Sequence, residues 1–143
     1  MKKAFSLFFL FIVFYTHGQQ LKCKDFKKGT FILTSVDFPG VEWEIERTKR
    51  KQKEVTIKIP NKYKKLGYPT DPTYAKVEWI NQCKYKLIYI EKELKLDEFQ
   101  NSINENGGII TDLKEPEGKC FKYVSQFKFE NTQMQGKGKI CKI

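Results

Sequence analysis

The chain has 143 residues, with 27 lysines and arginines against 17 aspartates and glutamates, for a formal charge of +10. Its one histidine is His17, inside an N-terminal segment that reads as removable. Without that segment no histidine remains, which excludes Ser-His-Asp and Cys-His catalysis and any histidine-ligated metal.

The segment "MKKAFSLFFLFIVFYTHGQQ" opens on Lys2 and Lys3, runs apolar over residues 4–15, and places Thr16 and Gly18 before a cut at Gln19. That is the layout of a secretory signal peptide. The run is shorter than the roughly 20 residues of a transmembrane helix, and an uncleaved anchor is the competing reading. Gln20, Leu21 and Lys22 before Cys23 do not form a lipoprotein signal. The expected division is therefore a signal peptide over residues 1–18 and one domain over 19–143, secreted or periplasmic. No second long apolar run follows, so no transmembrane segment is expected after signal removal. Losing Lys2 and Lys3 lowers the charge from +10 to +8. Arg47 and Arg50 are the only arginines. A charge that is nearly all lysine speaks to solubility and weak association, and nucleic acid is not the expected partner.

After Cys23, "KKGTFILTS" reads as a first strand, ended by the Pro39-Gly40 turn signal. In "VEWEIER", Val41, Trp43 and Ile45 share one face and Glu42, Glu44 and Glu46 the other. "KEVTIKI" puts Val55, Ile57 and Ile59 on one face. Matching the apolar faces predicts Trp43 opposite Ile57 and Ile45 opposite Val55. Residues 60–74 hold three prolines and a glycine, too irregular for a strand interior. In "AKVEWINQCKYKLIYI", a loop at Ile80, Asn81 and Gln82 predicts Trp79 opposite Cys83, Val77 opposite Tyr85 and Ala75 opposite Leu87. "LDEFQNSINENGG" predicts one short helix, capped by Asp97 with Gln100 three residues on and stopped at Gly107. "GIITDLK" then pairs with the strand after Cys120 through a turn in "EPEG".

In the last strand pair, placing Phe121 opposite Ile140 sets Tyr123 over Gly138 and Ser125 over Gly136. An aromatic ring covering a strand glycine makes up for its missing side chain. The same register sets Cys120 opposite Cys141, so the expected disulfides are Cys120–Cys141 and Cys23–Cys83. The whole reads as all-β, an antiparallel up-and-down meander of about eight strands forming a barrel or half-barrel. A curved open sheet wrapped on the helix is the alternative.

The segments "CKDFKKGTF", "IERTKRKQKE", "VEWINQCKYKLIY" and "GKGKICKI" together resemble a group of small exported bacterial proteins, some of which carry a DNA topoisomerase IV label. The resemblance covers most of the chain after the signal segment. Glu78-Trp79 with Cys83 and Tyr85 is its most specific part. It implies export and a structural role for Cys83, and it names no activity. A topoisomerase subunit is far larger, with a catalytic tyrosine in its own domain, and no residue pattern here supports that label. The strand order is also similar to lipocalin-type barrels, by analogy of fold alone. Gly29-Thr30-Phe31 stands nearest to their Gly-x-Trp opening.

Neither a GxSxG elbow, a Walker loop, an HExxH pair nor a CxxC is present, so no cofactor or metal is expected. The carboxylate pairs Glu42 with Glu44 and Glu91 with Glu93 fall among lysines on faces that water should cover, where nothing shifts a pKa. No enzyme is expected. Trp43, Trp79, Tyr85, Tyr89 and Tyr123 are the candidate ligand-binding residues, lining the inside of the barrel for a small apolar molecule. Core filling by the same rings is the competing reading. Lys122, Lys128, Lys137 and Lys139 on the outer face are the candidates for an anionic envelope component. There, protection of an edge strand by lysine competes.

Overall fold

The structure, a computed structural model, describes residues 20–143. The expected signal peptide and His17 lie outside the described residues. Eight strands follow in order: β1 Gly29–Ser35, β2 Glu42–Arg47, β3 Lys51–Lys58, β4 Thr73–Trp79, β5 Lys84–Tyr89, β6 Ile109–Glu117, β7 Cys120–Phe129 and β8 Thr132–Lys142. Each pairs antiparallel with the next. β8 then returns to β1, from Phe31 opposite Lys142 to Ser35 opposite Gly138, and closes the barrel. The meander is thus a closed barrel and not an open curved sheet. Closure gives every strand a neighbour on both sides. Among the described residues, no helix is long and apolar enough to cross a membrane.

Alternation of side chains sorts the residues between inside and outside. Phe31, Trp43, Ile45, Val77, Tyr85, Leu113, Phe121, Tyr123 and Ile140 are buried. Outside, charges meet in pairs: Lys58 reaches Glu42 at 2.7 Å, and Glu78 is held between Lys76 at 2.9 Å and Lys86 at 3.0 Å. The last hairpin has the expected register throughout, with Cys120 opposite Cys141, Tyr123 opposite Gly138 and Ser125 opposite Gly136. The disulfides are Cys23–Cys83 and Cys120–Cys141. α2, Glu98–Glu105, carries the expected cap: Asp97 accepts from the Gln100 amide at 2.7 Å, and Gln100 accepts from Asp97 N at 3.1 Å.

Three local expectations are corrected. β3 is slipped by one residue, so Trp43 faces Thr56, Ile45 faces Glu54 and Arg47 faces Gln52. The inner face of β3 is polar, and Ile57 is 49 % exposed. The cause is Arg47, which follows Val41, Trp43 and Ile45 on the inward face and is 3 % exposed. A buried guanidinium needs acceptors, and Gln52 supplies one at 2.9 Å to Nε and 2.6 Å to Nη2. In the β4–β5 hairpin, Trp79 faces Tyr85, Val77 faces Leu87 and Ala75 faces Tyr89. That is a two-residue shift, which keeps every face. Cys83 leaves the ladder because it is bonded to Cys23 and its amide donates to Asn81 Oδ1 at 2.9 Å. Finally, Glu115, Pro116 and Glu117 extend β6 past a register shift, and the turn falls at Gly118 and Lys119. Residues 60–74 also hold a short helix, α1 Asn61–Lys65, that was not expected.

The two barrel ends differ. At one, a 3-10 turn, Cys23–Phe26, plugs the opening. Fully buried Phe26 stacks on Phe31 and meets Phe121 edge-on, both at 5.1 Å between centroids. At the other end lie the long connections after β1, β3 and β5.

Candidate ligand cavity

Arg47 forms the floor of the interior. Its Nη1 donates to Phe26 O at 3.0 Å and its Nη2 to the Tyr85 hydroxyl at 3.0 Å, besides the bonds to Gln52. Its guanidinium carbon lies 4.3 Å from the Tyr85 ring centroid. Four of the five N–H donors of this fork are therefore turned into structure. Trp79 packs here too, 4.9 Å from the Tyr85 ring, with Lys27 Nζ over it at 5.1 Å. Its Nε1 is buried with no acceptor among the described residues.

Above this floor is an inner chamber of about 160 Å³. Leu33, Ala75, Leu87, Ile109 and Phe127 give it apolar walls. Tyr85, Tyr89, Tyr123, Thr111 and Ser125 add hydroxyls. Several of those hydroxyls are already satisfied: Thr111 and Ser125 bond each other at 2.7 Å, and Tyr123 donates to Thr34 O at 3.1 Å. Gly136 leaves room on the β8 side, where a Cβ would touch only Asp37 Oδ2, at 3.8 Å.

An outer chamber of about 400 Å³ lies toward the open end. It is lined by Trp43, Tyr68, Tyr74, Leu94, Leu96 and Phe99 among others, with Asp71, Lys95 and Asp97. Glu54, Thr73 and Tyr89 line both chambers and mark their junction. Loops frame the mouth through aromatic contacts. Phe38 meets Trp43 at 6.3 Å, Tyr63 at 5.9 Å and Tyr68 at 5.3 Å. α2 is held at the rim because Asn104 exchanges two 2.9 Å bonds with the Tyr89 backbone.

Glu54 is the outlier of the interior. Burial pushes its carboxyl up to about 7, against the opposing pull of Arg47. Burial also raises Tyr68, Tyr89 and Tyr123, with the Glu54 charge as the next contribution in each case. The three hydroxyls therefore stay protonated around a carboxyl poised near neutrality.

No family model, curated protein or solved structure matches the chain. The site is thus read from its own chemistry. Of the candidate binding residues, Trp43 lines the outer chamber, Tyr85 and Tyr123 the inner one, and Tyr89 both. Trp79 stands apart at the plugged end. On the outer face, Lys122 lies opposite Lys139, as expected. Each has a carboxylate from extended β6: Glu115 at 2.8 Å from Lys122 and Glu117 at 2.8 Å from Lys139. Lys128 faces Gln133 and Lys137 faces Val124. Sequence reasoning missed Glu54 and Tyr68. The signal for Glu54 was Arg47, since an arginine continuing an apolar inward face calls for polar partners on the neighbouring strand.

Proposed function

We propose that the protein is a secreted or periplasmic binding protein, not an enzyme, that holds a small, largely apolar ligand inside the barrel. The observation that carries this reading is the pair of chambers meeting at Glu54, Thr73 and Tyr89. Their volumes suit a small molecule: a cavity of about 150 Å³ takes a single benzene ring, and ligand pockets commonly run to roughly 300–1,000 Å³. The two disulfides support an oxidising compartment. The alternative, an anionic envelope component on Lys122, Lys128, Lys137 and Lys139, has less support. Glu115 and Glu117 already supply the negative charge that Lys122 and Lys139 call for.

The test is titration with N-phenyl-1-naphthylamine, a neutral probe that brightens in apolar surroundings. Saturable one-to-one binding is expected for the wild type. Gly136→Leu fills the inner chamber from a position whose Cβ would meet only Asp37 Oδ2, at 3.8 Å. It should weaken binding by about tenfold or more, a loss of roughly 1.4 kcal/mol, while keeping the far-ultraviolet spectrum of the barrel. A wild type that shows no saturable signal would rule the reading out.

A further inference from the structure

We propose that the ligand is an amine that binds protonated, with its ammonium group against Glu54 at the junction of the chambers and its apolar part in the space on either side. The proposal rests on the interior-binding reading and adds the charge of the ligand to it.

Among the residues lining the inner chamber, Glu54 alone carries a charge. Glu54 pairs with Ile45 of β2 on one side and Thr73 of β4 on the other, and its carboxyl has no ion pair among the described residues. The one cation acting on it is Arg47, and the Arg47 donors go to Gln52, Phe26 and Tyr85. A partly buried carboxylate without a close partner is costly, and here its open side is the cavity. A ligand ammonium would supply both the counter-charge and the hydrogen bonds.

The surroundings favour a cation in two further ways. Trp43, Tyr68 and Tyr89 line the outer chamber that Glu54 also lines, and the faces of such rings attract cations. At the mouth, Asp71 and Asp97 outnumber Lys95. Besides Glu54, the lining of the outer chamber is therefore acidic by one charge, in a chain whose overall charge is +10. An anionic ligand would meet Glu54 and both aspartates. A neutral one would give Glu54 no counter-charge.

The titratable and charged groups facing Glu54 are Arg47 from β2, Tyr68 from the connection after β3, Tyr89 from β5 and Tyr123 from β7. The tyrosines do not ionise near neutral pH, so proton exchange on binding belongs to Glu54. A protonated Glu54 that takes up an ammonium becomes a carboxylate–ammonium pair and passes its proton to the buffer.

The experiment compares 2-phenylethylamine, 2-phenylethanol and 3-phenylpropanoate by calorimetry on the disulfide-intact protein at pH 7, in two buffers of different ionisation enthalpy. Expected are binding of the amine about tenfold or more tighter than of the alcohol, with proton release on amine binding alone. In Glu54→Gln, the preference for the amine and the proton release should both vanish. Equal binding of amine and alcohol without proton release would overturn the amine assignment and leave the interior-binding reading standing. Tightest binding of 3-phenylpropanoate would overturn it too. Failure of all three compounds and of the naphthylamine probe would overturn both.

Discussion

Glu54 and Ile45 face each other across β2 and β3, so a carboxyl shares the inner face with one of the most buried residues of the barrel. This placement costs stability in a defined pH window. The folded pKa of Glu54, about 7, lies above its unfolded value, so the folded state holds the proton more tightly. Below the unfolded value both states are protonated and no penalty applies. As pH rises through the window the unfolded chain ionises first and is favoured, until the penalty is complete above about 7. A shift of this size corresponds to at most about 3.4 kcal/mol. Glu54→Gln removes the titration. It should therefore raise the stability of the empty protein at pH 8 by roughly 1–3 kcal/mol, with little change at pH 4. Urea unfolding of both proteins at the two pH values checks this, and a wild type equal to the variant at pH 8 would refute the buried-carboxyl account. Glu54 was illegible in the sequence because Val55 and Ile57 present a better apolar alternation than Gln52, Glu54 and Thr56. Period-two reading follows the greasy set, whereas the hydrogen-bonding demand of Arg47 decides the register.

At the level of the element, the hairpins divide by how many features fix their register. β7 and β8 carry a cysteine pair, an aromatic over a glycine and an apolar pair, all agreeing on one alignment. That alignment was legible. β4 and β5 offered only alternation, which fixes the face and leaves shifts of two residues open. The disulfide to Cys23 then drew Cys83 out of the ladder. The β7–β8 hairpin yields a contrast between two glycines on one strand. A Cβ at Gly138 would collide with Thr34 O and approach the Tyr123 hydroxyl to 2.9 Å, whereas one at Gly136 meets only Asp37 Oδ2, at 3.8 Å. Gly138→Ala should cost about 3 kcal/mol or more, the upper part of the range for overpacking. Gly136→Ala should change stability by less than about 0.5 kcal/mol. Thermal melts of the two variants decide it, and equal effects would refute this reading of the β1–β8 contact. The tyrosine-over-glycine pairing was therefore legible. Its tight packing against β1 was not, because nothing local to β8 announces that β1 is its other neighbour.

For the whole molecule, the division into a plugged end and an open end explains the unequal roles of the disulfides. Cys120–Cys141 joins residues already paired in adjacent strands, 21 positions apart. Cys23–Cys83 spans 60 positions and ties the plug to the β4–β5 connection. By loop entropy the shorter link contributes about 3 kcal/mol and the longer about 4 kcal/mol. The longer one also holds Phe26 against Phe31 and Phe121. Replacing Cys23 and Cys83 by serine should therefore lower the denaturation midpoint more than replacing Cys120 and Cys141. The reverse order would show that the plug stays seated without its covalent tie. Strand count and inward aromatics made the architecture legible, while the cavity depended on a polar strand face visible only once the barrel closes.

Closure of β8 onto β1 also sets an order of events during folding. β1 emerges among the first elements and can take β2 as a neighbour early, but its other flank stays open until β8 has emerged. Folding thus ends with a contact between nearly the most distant parts of the chain, a slow kind of step. Until that moment Phe31 and Leu33 have no Lys142 or Ile140 beside them, and the growing chain carries a half-paired ribbon on which a passing molecule can settle.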